Sequence, residues 1–133
     1  MSADLLTTEL HPRQTSLIYV TLDLDPGLHI YGPDAEDYVP TSVSVSGPEG
    51  LSFGEARWPE RAAFELEGEA FDGYEGRVEV AVPVTSTIRE EGAAEIQVRV
   101  GYQACNDNTC FLPRNETLTL EVTTAPSVRS VEP

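Results

Sequence analysis

The sequence has 133 residues, a length that suits one domain. Its 23 Asp and Glu residues face eight cations, all of them Arg, which gives a formal net charge of −15. Nucleic-acid binding needs a basic surface, and an acidic surface repels phosphate and anionic lipid, so both of these partners are set aside. Leu, Ile, Val and Phe together number 33, enough apolar side chains for a packed core and therefore for a folded domain.

Membrane-spanning and export signals are not apparent in the chain. No stretch approaches the ~18 consecutive apolar residues of a membrane helix. The segment from Met1 to Leu10 lacks the basic start and apolar run of a signal peptide. The chain is therefore expected to be either a cytosolic protein or the soluble part of an exported one. Its acidity fits ordinary solubility or a salt-adapted source.

Strict alternation of apolar and polar residues is the main structural signal. It predicts strands over residues 18–24, 42–46, 77–84, 96–100 and 117–122, with one buried and one wet face each, as in antiparallel sheets. Gly- and Pro-containing turns separate them. Seven or eight short strands in this length predict an all-β fold, an immunoglobulin-like antiparallel β-sandwich. Pro83, inside one pattern, predicts an edge strand or a bulge there.

Two segments do not alternate. Residues 60–76 mix acids, glycines and aromatics and are predicted to form a long loop between strands. Residues 125–133 are predicted to be a tail or a linker to another domain. We therefore expect a single domain over residues 1–124.

The two cysteines lie on either side of a four-residue turn, Asn106 to Thr109. If the flanking strands form a hairpin, Cys105 and Cys110 stand opposite each other, at Cα separations of ~4.5 to 5.5 Å that a disulfide accepts. Counting by twos along the preceding strand places Cys105 on the polar face. A structural disulfide and a redox-active one both fit. So short a ring removes only about 2 kcal/mol of loop entropy, which favours the redox-active disulfide.

Zinc is a weaker alternative for the same two cysteines. Their thiolates could supply half of a tetrahedral site, with His11 and His29 as the remaining ligands. Both histidines are far away in sequence, so no metal site is predicted. No cofactor is predicted either, because thiol-disulfide exchange needs none.

The segment from Val100 to Cys105, with Cys110 and Pro113 after it, resembles the N-terminal periplasmic domain of the thiol:disulfide interchange protein DsbD. The segments Gly27–Tyr31 and Tyr74–Val84 support the resemblance, which spans residues 15–124. It implies an immunoglobulin-like sandwich whose redox-active pair is covered by a cap loop. It also implies an electron relay: from a thioredoxin-like domain of the same polypeptide to a periplasmic disulfide isomerase and a cytochrome c maturation thioredoxin.

The resemblance also implies residue roles. Cys110 would form the mixed disulfide with partners, and Cys105 would resolve it. A membrane segment would belong only to a parent protein, and the domain would be periplasmic or otherwise extracytoplasmic. The implied cap loop contains Glu69, Phe71, Asp72 and Tyr74. The implied supporting residues around the cysteine pair are His29, Tyr31, Tyr102 and Gln103.

This chain departs from the family pattern in its short spacer between the cysteines and in carrying His29 and Tyr31 where well-known members have two tyrosines. The carboxylates of Asp107, Glu69 and Asp72 are expected near the pair. Because negative charge disfavours a thiolate, we expect thiol pKa values at or above the ordinary ~8.5. An inert disulfide in a structural or binding domain is the alternative function.

Overall fold

The computed structural model describes residues 2–5, 9–35, 39–66, 69–106 and 109–126, with the backbone alone described for residues 64–66 and 69–71. In these ranges the chain forms strands and turns, and no helix suited to crossing a membrane is found there. The strands are β1 (Ser2–Leu5), β2 (Glu9–Leu10), β3 (Thr15–Asp23), β4 (His29–Tyr31), β5 (Ser42–Ser46), β6 (Leu51–Phe53), β7 (Ala62–Leu66), β8 (Glu69–Glu75), β9 (Arg77–Ser86), β10 (Gly92–Tyr102) and β11 (Arg114–Thr124).

Two four-stranded sheets form the body of the fold. Their strand orders are β1-β3-β9-β6 and β2-β11-β10-β5, and neighbours are antiparallel except for the parallel pair β2-β11. The alternating apolar residues of β3, β9 and β10 share one buried core, in which Val20, Val80 and Val98 are fully buried. Alternation places one face of each strand in this core, because successive side chains point to opposite sides. The predicted all-β sandwich and its five strongest strands are confirmed.

The prediction that Pro83 marks an edge strand or a bulge is wrong, because the pairing register of β9 with β3 continues through it without interruption. Strand β9 lies between β3 and β6, and Pro83 pairs with Leu17 of β3. Its carbonyl accepts a hydrogen bond from the N–H of Gly54, so its nitrogen also faces that side. The ladder between β6 and β9 ends at Phe53, one residue before Gly54. No hydrogen bond of this ladder therefore requires the backbone N–H that proline lacks.

The prediction of a long loop over residues 60–76 is also wrong. Strand β7 pairs over its whole length with residues 69–73 of β8, and β4 completes a three-stranded sheet of order β4-β8-β7. The sequence did not reveal these strands because acids and glycines interrupt the alternation of apolar residues. The pairing of β8 with β4 is made by backbone hydrogen bonds, which need no such alternation. At Gly73 the backbones approach so closely that a Cβ would overlap the carbonyl oxygen of Ile30. Only glycine fits this position.

Candidate active site

A tight hairpin follows β10 and carries both cysteines. The N–H of Asn106 donates a hydrogen bond to the carbonyl of Thr109 at 2.9 Å. On the other side of the cysteines, the N–H of Phe111 donates to the carbonyl of Ala104, also at 2.9 Å. The cysteines between these bonds form a non-hydrogen-bonded pair, the closer kind in an antiparallel ladder. Their Cα atoms lie 4.0 Å apart and a disulfide joins them. The predicted opposition of the cysteines is confirmed.

Cys105 is the inner cysteine of the pair. It is fully buried, and its N–H and carbonyl exchange two hydrogen bonds of 2.9 Å with the backbone of His29 in β4. The expectation that Cys105 lies on the polar face is therefore wrong. Strand β10 ends at Tyr102, so the alternation no longer applies three residues later, and pairing with β4 turns Cys105 inward.

Cys110 is the outer cysteine and is exposed. The hydroxyl oxygen of Tyr31 lies 3.8 Å from its sulfur. Burial raises the pKa of Tyr31. A tyrosine phenol is protonated at neutral pH even at its ordinary pKa of about 10, so the hydroxyl is a hydrogen-bond donor. His29 is also buried, and its ring meets that of Tyr31 edge-on at 5.6 Å. The exposed cysteine of the pair thus has a phenol hydroxyl beside its sulfur.

Strand β4 connects the cysteines to the β7-β8 hairpin. His29 pairs with Glu75 and Tyr31 pairs with Gly73 of β8, while His29 also pairs with Cys105 on its other side. Residues opposite one another in a ladder share a face. The hairpin and the disulfide therefore belong to one continuous set of hydrogen-bonded segments.

The structure places the four predicted cap residues on β8, not on a loop. Glu69 and Phe71 pair through their backbones with β7, and Asp72 is exposed. Tyr74 is buried. Its hydroxyl donates to the carbonyl of Pro59 at 2.8 Å, and its ring stacks on Trp58 at 6.0 Å. Tyr74 therefore anchors the root of the hairpin. Of the three carboxylates predicted near the disulfide, Asp107 and the side chain of Glu69 lie outside the part of the chain that the structure describes.

The two remaining supporting residues brace the cysteine hairpin. The side-chain amide of Gln103 donates to the carbonyl of Phe111 at 3.0 Å, which ties the two arms of the hairpin together. The hydroxyl of Tyr102 donates to Glu116 at 2.8 Å. Burial, and then this hydrogen bond, raise the pKa of Tyr102. Both residues support the backbone around the pair.

The two cysteines and two histidines considered as zinc ligands do not come together in one site. Both cysteine sulfurs are joined to each other, and His11 lies near the other end of the fold, with Nδ1 2.8 Å from the carbonyl oxygen of Pro126. Among the described residues, no cluster of three or more metal-ligating side chains forms.

Sequence reasoning missed two side chains next to the pair. Phe111 and Leu112 directly follow Cys110 and are 49% and 84% exposed. The available signal was an apolar pair placed between a cysteine and a proline, outside any alternating pattern.

Comparison with known proteins matches residues 2–122 to the family model "Thiol:disulfide interchange protein DsbD, N-terminal". The fold is similar to the N-terminal periplasmic domain of ScsB from Proteus mirabilis, with TM-score 0.64, 18% identity and 91% of this chain covered. It is also similar to the reduced DsbD N-terminal domain of Neisseria meningitidis, with TM-score 0.55, 13% identity, and 91% of this chain and 86% of that chain covered.

This chain spans 46% of the ScsB chain. No curated protein matched. The family match extends over nearly the whole chain, and the described fold and disulfide agree with it. The chain therefore belongs to the family of N-terminal domains of the thiol:disulfide interchange protein DsbD.

Proposed function

We propose that this domain is a protein-disulfide reductase module that passes electrons through reversible opening of the Cys105–Cys110 disulfide. The observation that carries the proposal is the difference in exposure between the two cysteines. Cys110 is exposed beside the phenol of Tyr31, whereas Cys105 is fully buried and held by β4. Exchange requires attack on one accessible sulfur, and this arrangement offers Cys110.

The exchange proceeds in two balanced steps. A thiolate of a reduced partner attacks the sulfur of Cys110, the Cys105–Cys110 bond breaks, and the Cys105 sulfur leaves as a thiolate that takes up a proton. The partner's second cysteine thiolate then attacks the partner's first cysteine sulfur, which is the one joined to Cys110 in the mixed disulfide. This releases Cys110 as a thiolate. The domain gains two electrons, and the partner dithiol becomes a disulfide. The reverse sequence passes the electrons on to an oxidised partner.

Tyr31 has a supporting role in this proposal. Its hydroxyl is 3.8 Å from the Cys110 sulfur and, as a phenol, is protonated at neutral pH. A donor at this position stabilises negative charge on the sulfur whenever Cys110 leaves as a thiolate. His29 supports Tyr31 by ring contact and Cys105 through its backbone.

We further propose that β8 provides the cap, with Phe71 as its shielding residue. Phe71 lies two positions before Gly73, which pairs with Tyr31, and alternate residues of a strand share a face. The cap is tied down at its root, where Arg61 pairs with Asp34 at 2.8 Å and Tyr74 stacks on Trp58.

The proposed partners are thioredoxin-fold proteins. Within a parent protein, a thioredoxin-like domain would supply electrons, and a disulfide isomerase and a cytochrome c maturation thioredoxin would receive them. The support is family membership together with the periplasmic source of the ScsB domain of similar fold. The same support favours a periplasmic location for this domain, with any membrane segment in the parent.

An inert structural disulfide is the competing function, and the buried Cys105 is the observation that favours it. Titration of the pair against glutathione separates the two. We expect a reduction potential of about −200 to −270 mV, in the range of thioredoxin-like carriers. A potential below about −300 mV, typical of structural disulfides, would contradict the relay. The Cys110→Ala variant, which has no pair to titrate, is the matched control.

A further inference from the structure

A row of three residues crosses the site from the cysteine hairpin to β8. His29 of β4 faces Cys105 on one side, where their backbones exchange two hydrogen bonds of 2.9 Å, and it pairs with Glu75 of β8 on the other side. Residues that oppose each other in an antiparallel ladder have side chains on the same face, with Cβ atoms about 4.5–5.5 Å apart. A cysteine, an imidazole and a carboxylate are therefore neighbours in that order.

The face of β4 that carries this row is the face that carries the disulfide. Tyr31 lies two residues after His29 and therefore on the same face, and its hydroxyl is 3.8 Å from the Cys110 sulfur. Ile30, between them, points the opposite way and belongs to the hydrophobic core. The His29 ring is thus on the same side of the sheet as the side chain of Cys105.

The far end of the row reaches solvent. His29 uses its N–H and carbonyl to bond Cys105, so its pairing with Glu75 is of the non-hydrogen-bonded kind, in which opposed residues are closer. Glu75 is exposed, whereas His29 and Cys105 are both buried. The carboxylate of Glu75 therefore connects the buried part of the row to water.

The burial of Cys105 creates a need for a proton donor in the exchange. When the disulfide is opened by attack on Cys110, the Cys105 sulfur leaves as a thiolate inside the protein, where an unpaired charge is strongly disfavoured. Histidine is the side chain whose ordinary pKa, about 6.5, lies nearest to neutral pH. It can therefore both donate and accept a proton under the conditions of the reaction.

Several titratable groups face His29 from the segments packed against it. In the described part of the chain these groups, from the hairpin, from β8 and from β4 itself, are Cys105, Cys110, Glu75 and Tyr31. The Arg61–Asp34 ion pair lies on the opposite face, because Arg61 is hydrogen-bonded to Tyr74, a core residue. Burial disfavours the charged form of the imidazole, and the carboxylate of Glu75 favours it.

We propose that His29 transfers a proton to and from the Cys105 sulfur, with Glu75 as its link to solvent. The inference rests on the proposed electron relay and assigns the proton that accompanies the electrons. When the disulfide opens, the His29 imidazolium gives a proton to the Cys105 thiolate and then regains one from water by way of Glu75. When the Cys105 thiol attacks a mixed disulfide on Cys110, the neutral imidazole accepts the thiol proton and returns it to solvent.

The test follows the step in which Cys105 attacks a mixed disulfide. The reduced domain is mixed with 5,5′-dithiobis(2-nitrobenzoate), so that Cys110 becomes a mixed disulfide and releases one thionitrobenzoate. Cys105 then displaces a second thionitrobenzoate in a first-order reaction. In the wild type, we expect this first-order rate to rise with pH to a plateau, with a midpoint near pH ~6.5, where histidines ordinarily titrate.

His29→Gln keeps a polar side chain that cannot titrate in this range. Its rate should rise by about tenfold per pH unit up to pH ~8, because only the thiolate fraction of Cys105 then reacts, below the ordinary thiol pKa of about 8.5. At pH ~7 the wild type should be faster than this variant by at least about tenfold, as for loss of a general base.

Two further variants complete the comparison. His11→Gln removes the histidine near the other end of the fold and should retain the wild-type profile. Glu75→Gln should move the midpoint of the wild-type profile to lower pH, because loss of the neighbouring negative charge disfavours the imidazolium. An unchanged midpoint in Glu75→Gln would overturn the role of Glu75.

NMR titration of the wild-type domain gives a measurement that needs no variant. In the reduced state, the ring signals of His29 should show a second inflection at the pH where Cys105 ionises, because neighbouring groups that exchange protons titrate together. The oxidised domain has no thiol to titrate, so that inflection should disappear. His11 should show the same single inflection in both states.

The outcomes separate this inference from the proposed function. A pH profile of His29→Gln that coincides with that of the wild type, or a single inflection for His29 in the reduced domain, would overturn the proton transfer and leave the electron relay standing. Release of only one thionitrobenzoate per reduced wild-type domain would show that Cys105 does not resolve the mixed disulfide. That result would overturn the proposed function, and the proton transfer with it.

Discussion

The two cysteines of one disulfide differ sharply in their surroundings. Cys105 has no exposed surface and is bonded through its backbone to His29, whereas Cys110 is exposed with the Tyr31 hydroxyl 3.8 Å from its sulfur. Nucleophilic attack needs a line of approach to the sulfur that is attacked. The structure therefore assigns different chemical accessibility to two residues that the sequence presents as a symmetrical pair.

Single-cysteine variants should reveal this difference. We expect Cys105→Ala, which leaves Cys110 free, to form a mixed disulfide with a thioredoxin variant whose single active-site cysteine is activated as a 2-nitro-5-thiobenzoate disulfide. Cys110→Ala, which leaves only the buried Cys105, should form it at least about tenfold more slowly, because burial limits access to the thiol. Non-reducing electrophoresis over time measures both rates. Equal rates in folded variants would contradict the assignment of Cys110 as the attacked sulfur.

At the scale of elements, the site depends on β4, a strand of three residues between the cysteine hairpin and β8. It pairs with Cys105 on one side and with β8 on the other, so a change in β8 reaches the disulfide through backbone hydrogen bonds. The Arg61–Asp34 ion pair and the Tyr74–Trp58 stack hold the root of the β7-β8 hairpin. Hydrogen bonds to Tyr74 and to Asp34 raise the pKa of Arg61.

Gly73→Ala should separate β8 from β4. The added Cβ would overlap the carbonyl oxygen of Ile30, a backbone atom that cannot turn away. We expect the free energy of unfolding to fall by about 1–3 kcal/mol, as for overpacking, and reduction by dithiothreitol to become faster. Gly92→Ala is the control, because its nearest neighbour would be the Thr124 hydroxyl at 3.9 Å. Denaturant titration and stopped-flow kinetics give the two quantities.

Phe71→Ala tests the shield without disturbing that backbone contact. This substitution should raise the rate at which dithiothreitol reduces the Cys105–Cys110 disulfide, while leaving the β4-β8 pairing in place. A Gly73→Ala variant as stable as the wild type would contradict the close approach of the strands, and an unchanged rate in Phe71→Ala would remove Phe71 from the cap.

For the whole molecule, the excess of 23 acids over eight arginines gives a net charge of −15 and therefore a net negative field around the protein. Like charges repel over about a Debye length, which is ~30 Å at 0.01 M salt and ~8 Å at physiological ionic strength. This field slows the approach of anions and favours cationic partners. We therefore expect the net charge to favour cationic partners before any contact is made.

Salt should therefore change the reactivity of the reduced domain with an anionic reagent. We expect the rate with 5,5′-dithiobis(2-nitrobenzoate), a dianion, to rise by about threefold between 0.01 and 0.3 M salt. The rate with neutral 4,4′-dithiodipyridine serves as the control and should stay constant. A dianion rate that is independent of salt would show that the local field at Cys110 is not negative.

Local patterns in the sequence were sufficient to predict much of this protein. Alternation in β3, β9 and β10 predicted their buried faces, because side-chain direction in a strand repeats every two residues whatever its neighbours. The four-residue turn predicted the opposition of Cys105 and Cys110. The motif around the cysteines identified the family that the comparisons confirm.

Contacts between distant segments decided the rest. Burial of Cys105 follows from its backbone pairing with His29, and the β7-β8 hairpin from pairing with β4 and the close approach at Gly73. Backbone hydrogen bonds between segments far apart in the chain carry no residue-specific signal, so the periodicity of either segment alone could not reveal them. The sequence by itself determined the sandwich and the cysteine pair, and only the tertiary structure decided which of the two cysteines is buried and which is exposed.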